Sequence, residues 1–481
     1  MKNDIVHKFF TLINSLFQTK DLPTTKLLEK ILLIILYIFG ILLWLRFLDY
    51  GQIREDRIDW ADITFPRLQV LQQAMQQGEI PLYVAQEKGL KGETNFFLSV
   101  PDQILSPDIL LLRFLELDQF IVIHILIFYS IGYWGLLLFR NKYSLSIIAF
   151  IPLFLLFNFN GHIVSHLSVG HLTWSSYFLL SFFFLYVFEL FAEKSLDWKW
   201  VVKIAVLQFF IFLSGGYHFF FWIMLFLTIL LLFHKTNRKI ILLSIIFSFL
   251  ISMFRILPAA LLSRHLKLEF MFGFPTVERL LQGLYKAYYP TELVLDLAYW
   301  EYNFYLGILG MLFVTYFGFV YFKQQRKNEI FKLIIPAAVM LVLSLGNIYK
   351  PFFDTGLPFF SGERVSSRFI IMTLLLLIFV SAIQLQTYLN AVSNNYIKWG
   401  IVMGIFLMAN DLIMHLSQWG IEKIIIASPV AENYVPLSLG VGYNQSYQNL
   451  LIIGAVISIA TSVFLCVKLK LNTKSRSIDT A

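Results

Sequence analysis

Four carboxylates that could perform acid or base chemistry lie close together near the start of the chain: Glu55, Asp56, Asp59 and Asp62. The three aspartates recur every third residue, so a helix would place them near one face. A carboxylate held in this way could act as a general base that removes a proton from a hydroxyl group. A solvated acidic connector would have the same sequence, because arginines at positions 54, 57 and 67 could pair with these acids.

Three arginines are candidates for binding the oxygens of a phosphate. Arg364 and Arg368 follow the segment Pro358-Phe359-Phe360-Ser361-Gly362-Glu363 and are four residues apart, so a helix would present both on one face. Lipid-headgroup contact would explain them equally well. Arg255 lies inside an apolar run, where a charge is costly and usually faces a cavity or a buried acid.

Histidines and one glutamate complete the set of candidate site residues. His162, His166 and His171 are spaced by four and five residues, as in some metal sites. Since no cysteine or carboxylate lies near them in sequence, we predict histidines that form hydrogen bonds and no metal site. Glu301 lies between Trp300 and Tyr302, where it could bind a sugar hydroxyl or a cation, or be a solvated acid in an aromatic belt. The sequence contains no Walker lysine motif, no G-x-G-x-x-G and no HExxH, so cytosolic nucleotide chemistry is unsupported.

The composition indicates what kind of scaffold must position these residues. Of 481 residues, 58% are hydrophobic and only 14% are charged, and the mean hydropathy is +0.71. A soluble protein has about 25% charged residues, so this chain belongs in a bilayer. The 50 phenylalanines exclude a disordered chain, and the single Cys466 excludes a disulfide scaffold.

Apolar runs of about 20 residues predict an all-α polytopic membrane protein with about twelve transmembrane helices. The predicted spans are 31–48, 120–139, 144–159, 172–191, 198–214, 219–233, 240–261, 304–322, 330–345, 369–386, 397–414 and 449–467. The fifth and sixth would form one helix of about 50 Å if they were continuous. We therefore predict a tight turn at Ser214-Gly215-Gly216-Tyr217-His218.

Basic residues predict the orientation of these spans. Lysine and arginine cluster in alternate connections, which places the N-terminus and the C-terminus in the cytoplasm. The net charge of +8 is explained by these connections, so we expect membrane lipids and no nucleic acid as partners. The N-terminal segment lacks a cleavage site and is expected to be retained as a helix on the membrane surface, through Phe9, Phe10 and Leu16.

The long connections then lie outside the cytoplasm. Residues 1–481 form one integral membrane domain, with a first extracytoplasmic loop at 49–119 and further extracytoplasmic loops at 262–303, 346–368 and 415–448. Residues 468–481 form a cytoplasmic tail. Within the first loop, the run from Leu68 to Met75 predicts an amphipathic interfacial helix that ends at Gly78. Because connections longer than about 15 residues are usually functional, the active surface is expected on this side.

Several short segments occur in an order that is similar to a known family. They are Asp62 with Phe65-Pro66, Gly78-Glu79-Ile80-Pro81-Leu82, Gly161-His162, Gly170-His171-Leu172, Gly215-Gly216-Tyr217, Leu257-Pro258-Ala259, Trp300-Glu301-Tyr302 with Tyr305 and Gly307, and Leu357-Pro358 through Arg364 to Arg368-Phe369. In this order the chain resembles the GT-C superfamily of glycosyltransferases, and more narrowly the bacterial YfhO-like group. It departs from that group at Leu82-Tyr83-Val84-Ala85, where a Trp-Asn-Pro run is usual.

The resemblance implies a function and a role for each candidate residue. A sugar would pass from a polyprenyl-phosphate-linked donor to an extracytoplasmic glycan, lipid or polymer acceptor at the bacterial cytoplasmic membrane. Asp62 would be the base, with Asp59 as the second choice. The substrate and its phosphate would be bound by Arg255, Arg364, Arg368, Glu301, His162 and His171.

Two rival functions fit the same sequence. A transporter or a lipid or oligosaccharide flippase also has many spans, although such carriers usually show related halves. A polymer-assembly protein without catalysis is the other. No cofactor is expected, but a diphosphate donor would favour a divalent cation held by Asp62 and Glu301.

Overall fold

In the computed structural model, the described residues are 16–17, 23–192, 197–263, 269–289, 299–424 and 436–478. The expected surface helix around Phe9 and Phe10 lies outside them. The described chain is mainly helical, with one antiparallel pair of two-residue strands, β1 (Tyr83–Val84) and β2 (Leu439–Gly440). The α-helices are α1 (Pro23–Phe47), α2 (Phe65–Gln77), α3 (Leu117–Lys142), α4 (Ile147–Phe159), α5 (Gly161–Ser168), α6 (Leu180–Ala192), α7 (Trp198–Leu213), α8 (Tyr217–Phe233), α9 (Arg238–Ile251), α10 (Met253–Ser263), α11 (Val277–Tyr285), α12 (Gly307–Gln324), α13 (Ile334–Leu343), α14 (Gly346–Phe353), α15 (Pro358–Ser361), α16 (Ile370–Ala391), α17 (Asn395–Gln418) and α18 (Gln445–Ile478).

Helices occur at every predicted span, but not all are long enough to cross a membrane. Eight helical segments of the described chain have the required length and hydropathy, and a ninth does if the bent pair α9 and α10 is one span. Helices α7 and α8 have 16 and 17 residues, and α13 has only ten. The protein is therefore an all-α chain with several long apolar helices, as expected of an integral membrane protein, and the count of twelve stays a prediction.

The helices divide into a buried centre and an apolar periphery. Helix α4 is hydrophobic on all sides and almost wholly buried, and α16 lies buried beside it. By contrast, most residues of α1, α17 and α18 are exposed or only half-buried. Exposed apolar surface of this extent is what lipid contact requires.

The helix predicted to end at Gly78 and the predicted turn at Gly215 are both present, whereas the interfacial position of that helix stays a prediction. Helix α2 has Pro66 in its first turn and ends at Gly78, whose φ of 73° is in the left-handed region that favours glycine. The chain turns between α7 and α8, with Gly215 at φ 79°. A Cβ on Gly215 would lie 2.7 Å from Cγ2 of Thr173, so the turn packs too closely for a side chain.

The predicted span 240–261 is not one continuous helix but a bent pair of helices. Helices α9 and α10 meet at 68° around Ser252. Such a break leaves backbone N–H groups without a partner in the helix. The N–H of Phe254 donates instead to Oγ of Ser458 on α18, at 3.0 Å. A contact 204 residues away therefore stabilises the bend, and local sequence could not reveal it.

Candidate functional site

A cavity of about 790 Å³ opens where the first long loop, predicted at 49–119, meets the ends of several helices. Its wall contains most of the predicted site residues together with others that the sequence did not single out. The predicted ones are Asp59, Asp62, His171, Glu301, Arg364 and Arg368. Others include Arg67, Lys91, Asp102, Trp174, His218 and Glu363. This size and this mixture of polar and apolar groups are typical of small-molecule sites.

The acidic end of the first loop is fixed beside this cavity by its neighbours. Residues Trp60–Thr64 form one widened helical turn just before α2. Nε1 of Trp60 donates to the carbonyl of Ser168 at 3.0 Å. Gly170, at φ 106°, allows the two backbones to approach, since a Cβ there would lie 2.4 Å from the backbone nitrogen of Trp60. Asp62 and Asp59, at this turn, therefore contribute to the cavity wall.

The histidine segment differs from the prediction. We expected 160–171 to be a short outer turn, but Gly161–Ser168 is helical and continues the long apolar segment that begins at Ile147. The side chain of Asn160 caps α5 by accepting from the backbone N–H of His162, which explains why polar residues here form a helix. His162 and His166 are consequently buried completely.

Two of the histidines connect carboxylates from distant parts of the chain. Nε2 of His171 lies 2.5 Å from Oδ2 of Asp59, and its Nδ1 lies 2.7 Å from Nδ1 of His166. Nε2 of His166 in turn lies 3.6 Å from Oε2 of Glu301. His162 does not join this chain of contacts or line the cavity. Instead its Nε2 accepts a hydrogen bond from Nε1 of Trp174 at 3.1 Å.

These carboxylates change the interpretation of the histidines as metal ligands. The sequence showed no carboxylate close to them, yet one ligand atom each from His166, His171 and Glu301 lies within 4.8 Å of the others. His171 and Glu301 both border the cavity. These three residues could therefore hold a metal ion, contrary to the prediction.

Glu301 and Arg368 form a buried ion pair. Nε of Arg368 donates to Oε2 of Glu301 at 2.6 Å, and its Nη2 donates to Oε1. The guanidinium also lies over the ring of Trp174, 4.9 Å from the centroid. Because the planar fork is occupied by Glu301, Arg368 is less available to a phosphate than we predicted.

A second carboxylate is buried behind this pair. Oε2 of Glu363 accepts from Nε1 of Trp222 at 2.9 Å and lies 2.7 Å from Nδ1 of His218. Nε2 of His218 lies 3.2 Å from Nη1 of Arg368. Burial by itself would raise the pKa of Glu363, but His218 and Arg368 outweigh burial and hold that pKa below its ordinary value. Glu363 is thus a fixed negative charge beside the cavity.

A group of cations provides the opposite charge. Nη1 of Arg67 and Nζ of Lys91 each lie 3.1 Å from a different oxygen of Asp102. Burial alone would raise the pKa of Asp102, but these two cations hold it well below its ordinary value. Arg364 is exposed to the same cavity, and among the described residues no carboxylate pairs with it. We call Arg67, Lys91 and Arg364 the cationic cluster; it contains three positive charges around the single carboxylate of Asp102.

Arg255 lies outside the cavity and has a different role from the one predicted. Its guanidinium donates to the backbone carbonyls of Leu98, Val100, Pro101 and Gln103 at 3.0 to 3.3 Å. The side chain is only 1% exposed. Arg255 therefore anchors residues 98–103 of the first long loop to α10, and it is not part of the cavity wall.

Sequence reasoning missed Lys91, Asp102, His218 and Glu363. Two signals could have identified some of them. Lys91 lies in the Lys88-Gly89-Leu90-Lys91-Gly92 segment that departs from the resembled family, and its φ of 55° is unusual for lysine. His218 directly follows the Gly-Gly-Tyr turn. No local pattern distinguishes Asp102 from any loop aspartate.

The cavity thus combines carboxylates that could accept a proton with cations that could stabilise a leaving anion. The carboxylates of Asp59 and Asp62 come from one turn of the first loop, and the cations come from three other positions. Comparisons of the chain with protein-family models, with curated proteins and with solved structures found no match in any of the three.

Proposed function

We propose that the protein is a membrane glycosyltransferase of the GT-C type, which transfers a sugar from a polyprenyl-phosphate-linked donor to an extracytoplasmic hydroxyl acceptor. One observation carries the proposal. The carboxylates of Asp59 and Asp62 and the cationic cluster line the same cavity of about 790 Å³. Transfer of a phosphate-linked sugar needs both kinds of group, one to activate the acceptor and one to receive the leaving phosphate.

The reaction follows from this arrangement. Asp62 accepts the proton of the acceptor hydroxyl while the hydroxyl oxygen forms a bond to the anomeric carbon of the donor. The bond between that carbon and the phosphate oxygen breaks, and the phosphate leaves with the bonding electron pair. Arg364 and Lys91 stabilise the charge that develops on the phosphate. Asp62 also stabilises positive charge at the anomeric carbon in the transition state.

The apolar part of the cavity wall suits a lipid-linked donor. Ile256, Ala259 and Ala260 of α10 border the cavity together with Phe212 and Leu71. Helix α10 is the second half of the bent pair that together is long and apolar enough to cross a membrane. A prenyl chain lying along α10 would leave its phosphate at the polar end of the cavity, near the cationic cluster. The reaction would then take place at the extracytoplasmic surface of a bacterial cytoplasmic membrane.

A substrate carrier is the second candidate, and the bend between α9 and α10 favours it. Broken helices of this kind form binding sites in many transporters. The buried charges of Glu301, Arg368 and Glu363 are also compatible with a transport pathway. A carrier would bind the lipid-linked sugar and release it unchanged.

Incubation of the purified full-length protein with a panel of polyprenyl-phosphate sugars distinguishes these functions. A transferase consumes one donor only when a hydroxyl acceptor is present, and Asp62→Asn abolishes that consumption. Mass spectrometry of donor and acceptor measures both. Movement of an intact donor across proteoliposomes, with no acceptor-dependent loss from any donor in the panel, would contradict the transferase and support the carrier.

A further inference from the structure

The contacts among Asp59, His171, His166 and Glu301 cannot all be hydrogen bonds if both imidazoles are neutral. A neutral imidazole has one N–H and one acceptor nitrogen. Nε2 of His171 faces Asp59, so it carries the hydrogen, and Nδ1 of His171 is then an acceptor. His166 must use its single hydrogen at Nδ1 to donate to His171. With both imidazoles neutral, Nε2 of His166 is therefore left as a lone pair.

That lone pair is buried and faces a carboxylate. Nε2 of His166 has no hydrogen-bond partner among the described residues, and it lies 3.6 Å from Oε2 of Glu301. Two acceptors that face each other in a buried site favour a cation between them. Two ligands of a tetrahedral zinc ion, with bonds of about 2.0 to 2.2 Å, lie roughly 3.4 Å apart. The observed separation of the nitrogen and the oxygen is close to this value.

We propose that His166, His171 and Glu301 form a zinc-binding site. Their ligand atoms lie within 4.8 Å of one another, so movements of about 1 to 1.5 Å bring them to the roughly 3.4 Å spacing of tetrahedral zinc ligands. His171 binds through Nδ1, because its Nε2 faces Asp59. The metal then replaces the hydrogen bond between the Nδ1 atoms of His166 and His171, and the ring of His166 rotates to bring its Nε2 to the ion. The Asp59 carboxylate then orients His171 from outside the ligand set, as carboxylates commonly do for zinc-bound histidines.

The site is open on one side. His171, Glu301 and Asp59 all border the cavity, whereas His166 is buried behind them. Three protein ligands and one accessible position are typical of catalytic zinc sites, and structural zinc sites usually have four protein ligands. An oxygen of a bound hydroxyl or phosphate can occupy the remaining position. The metal site is inferred from these contacts alone and does not depend on the proposed transferase activity.

The ion pair with Arg368 is compatible with the metal but limits its affinity. Both oxygens of Glu301 accept from Arg368, yet a carboxylate has about four lone-pair positions, so the hydrogen bonds and a metal bond can coexist. The positive guanidinium repels a second cation nearby. The two imidazoles favour zinc over magnesium and calcium, which prefer oxygen ligands.

Titration of the protein tests the site directly. The full-length protein is purified in detergent, stripped with a chelator, and titrated with zinc chloride by isothermal calorimetry, with magnesium chloride in a parallel experiment. Elemental analysis then measures the zinc that remains after gel filtration. We expect one zinc ion per chain and no magnesium binding over the same concentrations. Folded wild-type protein that takes up no stoichiometric zinc would overturn the proposal.

Three substitutions locate the site. His171→Gln removes a ligand, and His218→Gln is its matched control, because both side chains line the cavity with similar exposure of 14% and 13%. Asp59→Asn changes only the outer partner and should weaken zinc binding by about 10- to 100-fold. His171→Gln should weaken it at least as much, while His218→Gln keeps the parent affinity. If His171→Gln binds zinc with the parent affinity, or if both histidine variants lose the same amount of zinc affinity, His171 is not a zinc ligand.

Gel filtration and thermal unfolding of the stripped proteins establish that each variant folds. Glu301→Gln is a further ligand variant, but it also leaves Arg368 without its carboxylate. For this reason the comparison of His171 with His218 decides the assignment. Zinc binding is measured without any sugar donor. A protein that binds zinc but transfers no sugar would therefore support the metal site and contradict only the proposed transferase activity.

Discussion

Arg368 and Glu301, which are 67 residues apart in the chain, form a bidentate ion pair. Both side chains are almost completely buried. Removing both charges from water is costly, and the pair compensates for this only because each charge has its partner. His166 and His218 contact the two ends of the pair, which places it at the centre of the candidate site.

Removal of one partner should therefore destabilise the protein strongly. Arg368→Ala leaves Glu301 buried without its counter-ion, and a loss of about 3 to 5 kcal/mol in the free energy of unfolding is expected. Thermal unfolding in detergent measures the effect. Lys350→Ala is the control, because Lys350 is exposed, pairs with the exposed Asp354 and should change stability little. A melting temperature for Arg368→Ala equal to that of the control would contradict the importance of the pair.

The predicted orientation can be tested with single cysteines in a Cys466→Ser background. Glu93 and Thr355 are exposed residues in two of the loops that contribute to the cavity wall, and Thr236 is exposed in a basic connection. Cysteines at positions 93 and 355 should react with a membrane-impermeant thiol reagent in intact cells, and a cysteine at 236 should react only after lysis. Labelling of position 236 in intact cells would reverse the orientation.

Acid should weaken the ion pairs that Asp102 forms within the loop at 49–119. The pKa of Asp102 is held below its ordinary value of about 4 by Arg67 and Lys91, in spite of burial. A lowered pKa in the folded state contributes stability above the unfolded pKa, and this contribution is lost as the pH falls towards the folded pKa. The melting temperature should therefore decrease as the pH is lowered below about 4. The melting temperature of Asp102→Asn should decrease less over the same interval. An identical pH profile in both proteins would exclude this linkage.

Apolar length and glycine placement made much of the fold predictable. The runs of apolar residues identified the helices, Gly78 marked the end of α2, and the Gly215-Gly216 pair marked the turn between α7 and α8. These signals are local, because they depend on residues within one helix or one turn. The bend at Ser252 was missed because its stabilising contact comes from Ser458 on another helix.

The candidate site was predictable only in part, for the same reason. Asp59 and Asp62 were identified by their clustering, but the partners of His171 and His166 lie 112 and 135 residues away. Spacing along the chain therefore could not show that these histidines contact carboxylates. Asn160 contributed to the error, since it indicated a loop but instead caps a helix that buries His162 and His166.

The cationic cluster should bind the donor phosphate. Loss of one charge-assisted contact typically weakens binding by roughly 10- to 150-fold. Arg364→Ala should therefore reduce affinity for a polyprenyl-phosphate sugar by this amount, and Lys91→Ala should also reduce it, although Asp102 shares that lysine. Tryptophan fluorescence or calorimetry with the donor measures the change, with Lys350→Ala as the control. Parent affinity in both cavity variants would indicate that the phosphate binds elsewhere.

Asp62→Asn should separate catalysis from binding. The substitution keeps the size of the side chain but removes the proton acceptor and its negative charge, so transfer should fall by about 10²- to 10⁴-fold. Donor affinity should change little, because Asp62 acts in the transition state and the cationic cluster binds the phosphate.

Asp59→Asn provides the comparison, since Asp59 contacts His171 and is positioned to orient it. Its effect on transfer should accompany a loss of zinc affinity, whereas Asp62→Asn should bind zinc as the parent does. If Asp62→Asn transfers sugar at a rate within about threefold of the parent rate while Asp59→Asn is inactive, the base is Asp59. Full activity in both would leave the acidic turn without a catalytic role and would favour the carrier.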